Sequence, residues 1–319
     1  AGPLGCRKQQ TMPAALEFSN VSKAYGAITA LDGLSFVVER GEMFGIIGPD
    51  GAGKTTAIRI ACGLLRADRG TVTVLGHDPV KEHARITGGV GYLSQRFSLY
   101  GDLTIDENIA FFAEIHGIRD YRAARDRLLD MTQLTPFRGR RADRLSGGMK
   151  QKLALACTLV HEPDLLILDE PTTGVDPVAR REFWKLLSEF LSRGLTIVMA
   201  TPYLDEAERC GRVLLLHEGR RLAIDQPAAL QGSLSGRLYE VITDTPRPPL
   251  DALRRLPVVA DAQGFGDRAH VTVTEPGDLT TMIAEGLARE GIPVRSVRPI
   301  GASLEDVFIA MLGEAESRR

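Results

Sequence analysis

Short apolar runs alternate with amphipathic segments through the first two thirds of the chain. Several runs, such as residues 43–47 and 165–168, are apolar at every position, which is typical of strands buried on both faces of a parallel sheet. The pattern predicts an α/β fold. The predicted strands are 16–19, 43–47, 71–75, 90–93, 165–168, 196–200 and 212–216. The predicted helices are 54–65, 105–116, 122–132, 147–160, 178–192 and 203–209.

A second pattern begins after residues 231–236, where Gln-Gly-Ser-Leu-Ser-Gly is typical of a linker. Ser303 and Asp306 resemble a capping box that opens a last helix, predicted to run to about residue 312. Before it, the order strand–helix–strand–strand–helix–strand is typical of a ferredoxin-like domain. These elements are predicted at 238–243, 250–256, 258–263, 269–274, 278–290 and 294–300.

The two patterns predict two domains after a short tail. Residues 1–11 are assigned to the tail or to a cloning remnant. Residues 12–234 form the main domain, with a mostly helical subdomain inserted at about 96–145. Residues 235–319 form a small α+β accessory domain of ferredoxin-like βαββαβ order.

Composition narrows the class of protein. The 319 residues are 44% hydrophobic and 25% charged, with a formal net charge of −2 and a pI near 6.4. The chain carries no overall basic charge of the kind that would favour nucleic acid as a partner. The four cysteines are isolated and none has metal-ligand spacing, which indicates a reducing, cytoplasmic compartment. They are Cys6, Cys62, Cys157 and Cys210.

We expect neither a signal peptide nor a membrane-spanning helix. The first ten residues include Cys6, Arg7 and Lys8 and lack an apolar core. The longest apolar runs are far shorter than the roughly 20 residues that a membrane helix needs.

Residues 48–55 read Gly-Pro-Asp-Gly-Ala-Gly-Lys-Thr and match the P-loop pattern in full. The motif follows a predicted strand and opens a predicted helix, which is the context that a phosphate loop requires. Backbone N–H groups and the helix N-terminus form an anion site, Lys54 is expected to reach the β and γ phosphates, and Thr55 to hold Mg²⁺. The residues assigned to this ATP site are Gly48, Pro49, Asp50, Gly51, Ala52, Gly53, Lys54, Thr55 and Thr56.

Two carboxylates, Asp169 and Glu170, end the apolar run at 165–168. In a P-loop fold the first acid belongs at Mg²⁺. The second is placed to orient and deprotonate the attacking water. We therefore predict Asp169 as a metal ligand and Glu170 as the catalytic base.

Residues 145–151, Leu-Ser-Gly-Gly-Met-Lys-Gln, resemble the signature motif of the ATP-binding-cassette (ABC) family. The resemblance covers about residues 14–230. It implies that Ser146, Gly147 and Gly148 face the γ-phosphate bound by a second cassette, so that two ATP molecules lie between two chains. The second cassette would be another copy of this chain or a different one.

Three further positions match the family one by one. Gln95 resembles the glutamine that contacts Mg²⁺ and senses the membrane subunit. Tyr25 resembles the aromatic residue that stacks on adenine, although an ordinary surface role is equally compatible with its position. Asp176 resembles the acid that couples the two ATP sites. The predicted catalytic set is Glu170, Gln95 and Lys54, and the predicted Mg²⁺ set is Thr55, Gln95 and Asp169.

One position departs from the family pattern. The family usually has a histidine just after the strand predicted at 196–200, and here Pro202 takes that place. Proline carries neither a side-chain donor nor a backbone N–H. We therefore expect slower or more partner-dependent ATP hydrolysis.

Residues 94–104 and 303–308 are similar to ATPases of drug and polymer exporters. That resemblance implies a separate membrane permease as partner, a drug or lipophilic substrate, and a place on the inner face of the cell membrane. Phe97, Leu99 and Tyr100 would lie near the groove that receives the permease, or would simply pack within the helical subdomain.

Two alternatives remain from other functional classes. A cassette protein acting on nucleic acid or ribosomes is disfavoured, because a single cassette is seen and Lys54 and Ser146 are only about ninety positions apart, without heptads. A regulatory cassette that binds ATP and hydrolyses it slowly is kept open by Pro202.

Overall fold

The computed structural model describes residues 13–95 and 99–317, and side chains as far as residue 313. The predicted tail with Cys6, and Phe97, lie outside the described residues. The chain divides into two compact units. The first contains the described residues up to Pro202 together with Leu216–Arg221, and the second contains Tyr203–Leu215 and the described residues from Leu222 onward.

The first unit contains an antiparallel and a parallel set of strands. In the antiparallel set, β1 (Leu16–Tyr25) lies between β2 (Ile28–Val38) and β4 (Arg69–Val74). The parallel set has the order β5-β6-β7-β3. Its strands are β3 (Met43–Ile47), β5 (Val90–Leu93), β6 (Leu165–Asp169) and β7 (Thr196–Thr201).

Burial explains why these segments form strands. Every residue of β3, β6 and β7 is buried, as expected for parallel strands covered on both faces. The two sets of strands share an aromatic core in which Phe36 stacks on Phe18 at 4.6 Å and on Phe44 at 5.6 Å between ring centroids. The predicted α/β class is confirmed.

Helices α3 (Ile105–Ile115) and α5 (Gly147–Leu159) of the first unit begin at side chains that cap them. Thr104 and Glu107 form a reciprocal capping box at the start of α3, and Ser146 caps α5. Both α3 and α4 pack against α5. The helices are α1 (Lys54–Ala61), α2 (His83–Thr87), α3 (Ile105–Ile115), α4 (Arg122–Thr132), α5 (Gly147–Leu159) and α6 (Pro177–Ser192), with 3₁₀ turns at Thr135–Phe137 and Ala142–Arg144.

The second unit is built mainly on an antiparallel sheet with the order β11-β12-β10-β13. Tyr239, Val271, Ile283 and Leu287 belong to its buried core. Its strands from residue 238 onward are β10 (Leu238–Thr243), β11 (Val259–Phe265), β12 (Arg268–Val273) and β13 (Val294–Pro299). Its helices are α7 (Leu204–Ala207), α8 (Pro227–Gly232), α9 (Leu250–Arg254), α10 (Thr280–Arg289) and α11 (Leu304–Ser317). The division between the units falls within β8 (Arg212–His217) and β9 (Arg220–Asp225).

The order of elements predicted beyond residue 238 is present. The predicted capping box at the last helix is confirmed, since the Ser303 N–H and hydroxyl both donate to Asp306 Oδ2 and the Asp306 N–H donates to Ser303 Oγ. The predicted end of that helix near residue 312 is wrong, because α11 continues to Ser317.

Other predicted bounds are also wrong. Helix α1 ends at Ala61 rather than at residue 65, because Gly63 adopts φ +68° and a side chain there would lie 2.2 Å from the Pro79 carbonyl oxygen. The helix predicted at 203–209 is the single turn α7. Strand β2 was not predicted because Asp32-Gly33 has the composition of a turn, and β9, α2 and α8 carry too little periodicity.

The described ranges contain no helix that is both long enough and apolar enough to cross a membrane.

Candidate functional site

The loop at residues 48–53 joins β3 to α1 and needs glycine at particular positions. Gly53 adopts φ +106°, and a Cβ atom there would lie 2.4 Å from the Ala30 carbonyl oxygen. Gly51 adopts φ +81°. In this region of φ side chains are strained, so the sequence pattern and the backbone conformation agree. The loop ends where α1 begins, which directs the first N–H groups of the helix toward it.

Lys54 is buried, and its ammonium group lies within the loop. Its Nζ donates to the carbonyl oxygens of Gly48 at 2.8 Å and Pro49 at 3.0 Å. The same atom lies 3.6 Å from Glu170 Oε1 and 4.0 Å from the exposed Asp50 carboxylate. Lys54 thus joins the loop to the acid that follows β6. Ala52 is buried, and Thr56 is half-buried in the first turn of α1.

Parallel pairing brings the motifs to one edge of the sheet. Asp169 at the end of β6 is in register with Ala200, and Ile47 at the end of β3 is in register with Thr201. The phosphate loop, the two acids and Pro202 therefore all leave the sheet at its carboxyl edge. Ligands of open α/β sheets bind at this edge.

Asp169 is 2% exposed, and its Oδ1 accepts a hydrogen bond from Thr55 Oγ1 at 3.1 Å. Burial raises the pKa of the Asp169 carboxyl, and the neighbouring Glu170 charge raises it further. The Thr55 hydrogen bond and the positive charges of Arg59 and Lys54 act in the opposite direction. A buried carboxylate in this position is stabilised by added positive charge.

Glu170 has an unusual backbone and a well-held side chain. Its φ is +49°, which few residues other than glycine adopt. Gln95 Nε2 donates to Glu170 Oε2 at 2.9 Å, and Thr173 Oγ1 donates to the same oxygen at 3.4 Å. Together with Lys54, these donors orient the carboxylate at the edge of the sheet.

A second group of predicted residues lies where α5 and α6 begin. Ser146 Oγ accepts from the Met149 N–H at 3.3 Å, and Gly147 opens α5. At Gly148 a Cβ atom would lie 2.6 Å from the Ala179 side chain on α6. Asp176 Oδ1 caps α6 by accepting from the N–H groups of residues 178 and 179, each at 3.0 Å.

The structure thus brings one set of predicted residues together. Lys54, Thr55, Asp169, Glu170 and Gln95 are linked by hydrogen bonds or close ion pairs. Ser146, Gly148 and Asp176 instead have their described contacts within α5 and α6. Their assignment to nucleotide remains a prediction.

Tyr25 ends β1 and is 47% exposed. Lys23 Nζ lies 5.8 Å from the centre of its ring, close enough for a cation–π interaction. An exposed aromatic face is compatible with stacking on a base and equally with a surface role, so this assignment also remains a prediction.

Two residues at the site were not predicted from the sequence. Thr173 contacts Glu170, and its place three residues after the acid was the only available signal. Gln151 lies on α5 and donates to the carbonyl oxygen of Pro171 at 2.6 Å. Its burial was detectable only as one polar position next to an apolar stretch of helix.

Comparisons with known proteins find relatives that match most of this chain. The family described as ABC transporter matches residues 31–173. The Nod factor export ATP-binding protein I of Paraburkholderia xenovorans (strain LB400) is 39% identical over 306 residues, which are 94% of this chain and 97% of that protein. The probable multidrug ABC transporter ATP-binding protein YbhF of Escherichia coli (strain K12) is 40% identical over 289 residues. Those residues are 88% of this chain and 49% of YbhF, so the chain spans about half the length of that relative.

Solved structures of ABC transporter proteins are also similar to this chain. An ATP-binding subunit of an ABC transporter is 32% identical, with a TM-score of 0.62 over 69% of this chain and 92% of the other. The cbiO1 protein from Clostridium perfringens, part of the ABC transporter complex cbiONQ, is 28% identical, with a TM-score of 0.64 over 68% of this chain and 90% of the other.

Proposed function

The chain belongs to the family of ABC transporter ATP-binding proteins, and we propose that it hydrolyses ATP to drive a separately encoded membrane exporter. The observation that carries the proposal is the convergence of Lys54, Thr55, Asp169, Glu170 and Gln95 at one edge of the parallel sheet. Family membership alone supports ATP binding. Glu170, the acid that follows β6 and lies beside Lys54 of the phosphate loop, supports hydrolysis.

In the proposed reaction each of these residues has a defined task. The loop N–H groups and Lys54 bind the phosphates, since Lys54 lies beside the loop carbonyls and can exchange them for phosphate oxygens. Glu170 accepts a proton from the attacking water. Gln95, Thr173 and Lys54 keep its carboxylate oriented by the contacts described above.

Mg²⁺ fits the donors that meet near the carboxyl ends of β5 and β6 and the start of α1. Thr55, Asp169 and Gln95 offer a hydroxyl, a carboxylate and an amide oxygen, the hard ligands that Mg²⁺ prefers. When bound, the ion supplies positive charge against the phosphate oxygens.

Asp169→Asn should abolish the Mg²⁺ dependence of nucleotide affinity and leave Mg²⁺-free ATP binding intact. Asp164→Asn, whose carboxylate is 66% exposed, is the matched control.

Steady-state ATP hydrolysis with and without Mg²⁺ tests the proposal. Glu170→Gln should lose turnover by about a hundredfold or more while still binding ATP. Glu39→Gln, an exposed acid outside the site, should behave as wild type. Turnover that survives Glu170→Gln would contradict the role of Glu170, and a chain that binds no ATP would contradict the function.

We propose further that the working unit contains two cassettes, either two copies of this chain or one copy with a different cassette. Ser146, Gly147 and Gly148 at the start of α5 would bind the γ-phosphate held by the partner cassette. Asp176 would couple the two sites. Tyr25 would stack on the adenine of its own site. ATP should increase the dimer fraction of Glu170→Gln in light scattering, and an ATP-independent monomer would contradict this arrangement.

Names of relatives support export as the process that is driven. One is called a Nod factor export ATP-binding protein and another a probable multidrug ABC transporter ATP-binding protein. We propose a drug or lipophilic substrate, an integral membrane permease as partner, and a location on the inner face of the cell membrane through that permease. Tyr100, 49% exposed and packed edge-on against Phe111, would lie near the permease groove of the helical subdomain at about 96–145.

Residues 235–319, which belong to the second unit, would then form the accessory domain of ferredoxin-like order. Its element order and the strand order β11-β12-β10-β13 support that assignment. Co-purification of this chain with its permease, with and without residues 235–319, tests whether the accessory domain is needed for assembly.

A regulatory cassette that binds ATP and hydrolyses it slowly is the second candidate. Pro202 favours it, because proline replaces the imidazole expected at the carboxyl end of β7. ATP binding without Glu170-dependent turnover would select this candidate over the first.

A further inference from the structure

Helix α5 contacts the turn that follows the proposed catalytic base. Gln151 is 1% exposed, and its Nε2 donates a 2.6 Å hydrogen bond to the Pro171 carbonyl oxygen. Pro171 is joined directly to Glu170. Gln151 comes five residues after Ser146, so the two side chains are separated by about 7.5 Å along one rigid helix. One amide therefore joins the helix of the signature motif to the turn that carries Glu170.

The turn needs support from its surroundings because Glu170 adopts φ +49°. Such conformations persist only where neighbouring contacts hold them. On one side, the Glu170 N–H donates to the Ala200 carbonyl oxygen at 2.9 Å. Within the turn, the Thr173 N–H donates to the Glu170 carbonyl oxygen at 3.3 Å. On the other side, the hydrogen bond from Gln151 to Pro171 is a side-chain contact from outside the turn.

The surroundings of Gln151 indicate that its N–H group is what the position requires. Its Oε1 is buried and has no hydrogen-bond partner among the described residues. An unpaired buried acceptor is unfavourable, so an apolar residue of similar size would suit a position that served packing alone. The buried residues that follow on α5 are apolar, including Leu153, Ala154 and Leu155.

We propose that Gln151 is a positioning residue for Glu170, which it aligns by tying the Pro171 carbonyl to the signature helix. The inference rests on the proposed function, in which Glu170 activates water for ATP hydrolysis. Displacement of the start of α5 would reach the base through this hydrogen bond. The carboxylate itself is held by Gln95 and Thr173, whereas Gln151 holds the backbone from which it projects.

The test uses the full chain with Gln151→Met, which keeps the length of the side chain and removes the donor. The matched control is Gln231→Met, because Gln231 is also a helical glutamine whose amide donates one hydrogen bond, to Glu208 at 2.9 Å. We measure kcat and KM for Mg²⁺-ATP, the Kd for ATP, and the same substitution in a Glu170→Gln background. Hydrogen exchange of residues 170–175 reports the turn directly.

Gln151→Met should lower kcat about tenfold or more, leave the Kd for ATP within about twofold, and speed hydrogen exchange of the turn. In the Glu170→Gln background it should cause no further loss, because residues that act through one another are not additive. Wild-type kcat in Gln151→Met, or equal losses of kcat and ATP affinity, would overturn the role of Gln151 alone. A wild-type chain without Glu170-dependent turnover would overturn this role together with the proposed function.

Discussion

The amide of Gln95 donates a 2.9 Å hydrogen bond to the carboxylate of Glu170, although the residues lie 75 positions apart in the chain. Strands β5 and β6 are parallel neighbours, so the residues that follow them meet at the same edge. The proposed base is therefore oriented by a residue from the segment that also precedes α3 and α4. This contact gives a direct route by which movement of that segment would change catalysis.

Gln95→Leu should lower kcat for ATP by about tenfold to a hundredfold, because the Glu170 carboxylate loses an orienting donor. ATP affinity measured without Mg²⁺ should change little, since the phosphate loop is untouched. Steady-state kinetics measure kcat, and equilibrium nucleotide binding measures the affinity for ATP. Gln226→Leu, an exposed glutamine before α8, is the control. A variant that hydrolyses ATP at the wild-type rate would show that this hydrogen bond does not matter for turnover.

Pro202→His should raise turnover at saturating ATP, by about threefold or more, because an imidazole at the carboxyl end of β7 can hold the attacking water. Residue 202 lies at the same edge of the sheet as the phosphate loop and Glu170, since β7 runs parallel to β3 and β6. Pro246→His, on an exposed loop, controls for loss of a proline. Unchanged turnover in Pro202→His would mean that the missing imidazole does not limit the rate.

Stability should fall as the pH drops from about 6.5 to 4, because His161 is uncharged in the folded chain. Burial lowers its pKa to about 4, and the stacked His116 ring, 3.8 Å away, adds to the shift. The unfolded chain binds the proton more tightly in this range, so the contribution of uncharged His161 to stability is present above pH 6.5 and lost toward pH 4. Solvent screening of the partly exposed ring reduces that contribution to about 2 kcal/mol.

Urea unfolding at several pH values measures this effect. His161→Phe keeps a planar ring and cannot be protonated, so its stability should depend less on pH over the same range. His83→Phe, an exposed histidine, should retain the wild-type dependence. Equal slopes in the two variants would rule out His161 as the source.

Asp306→Ala should lower the free energy of unfolding of the second unit by about 3 kcal/mol, because His270 and Ser303 lose a buried hydrogen-bond partner. Asp306 is 4% exposed and lies 2.7 Å from His270 Nδ1, and it also accepts two hydrogen bonds from Ser303. Calorimetry with Glu305→Ala as control measures the difference, since Glu305 is the adjacent, exposed acid. Equal melting temperatures would show that the Asp306 contacts do not stabilise the unit.

The local sequence was sufficient to predict an element or a motif wherever one short segment determines its conformation. The phosphate loop, the strand before it and the start of the helix after it were predicted because their pattern is contiguous and glycine is needed at Gly53. Strands β3, β5 and β10 have the predicted bounds. In β2 and β9, polar residues interrupt the alternation of apolar and polar positions that marks a strand. The sequence alone therefore did not predict them, because neighbouring strands stabilise them.

Tertiary structure decided how distant motifs meet. The residues proposed to carry the chemistry could be predicted from local motifs: Lys54 and Thr55 in one motif, Asp169 and Glu170 in another. Only parallel pairing of β5, β6, β7 and β3 places them and Gln95 at one edge. The hydrogen bond from Gln151 to the Pro171 carbonyl oxygen could not be predicted from the sequence for the same reason. Such a bond depends on the distance between two groups in space, and tertiary packing sets that distance.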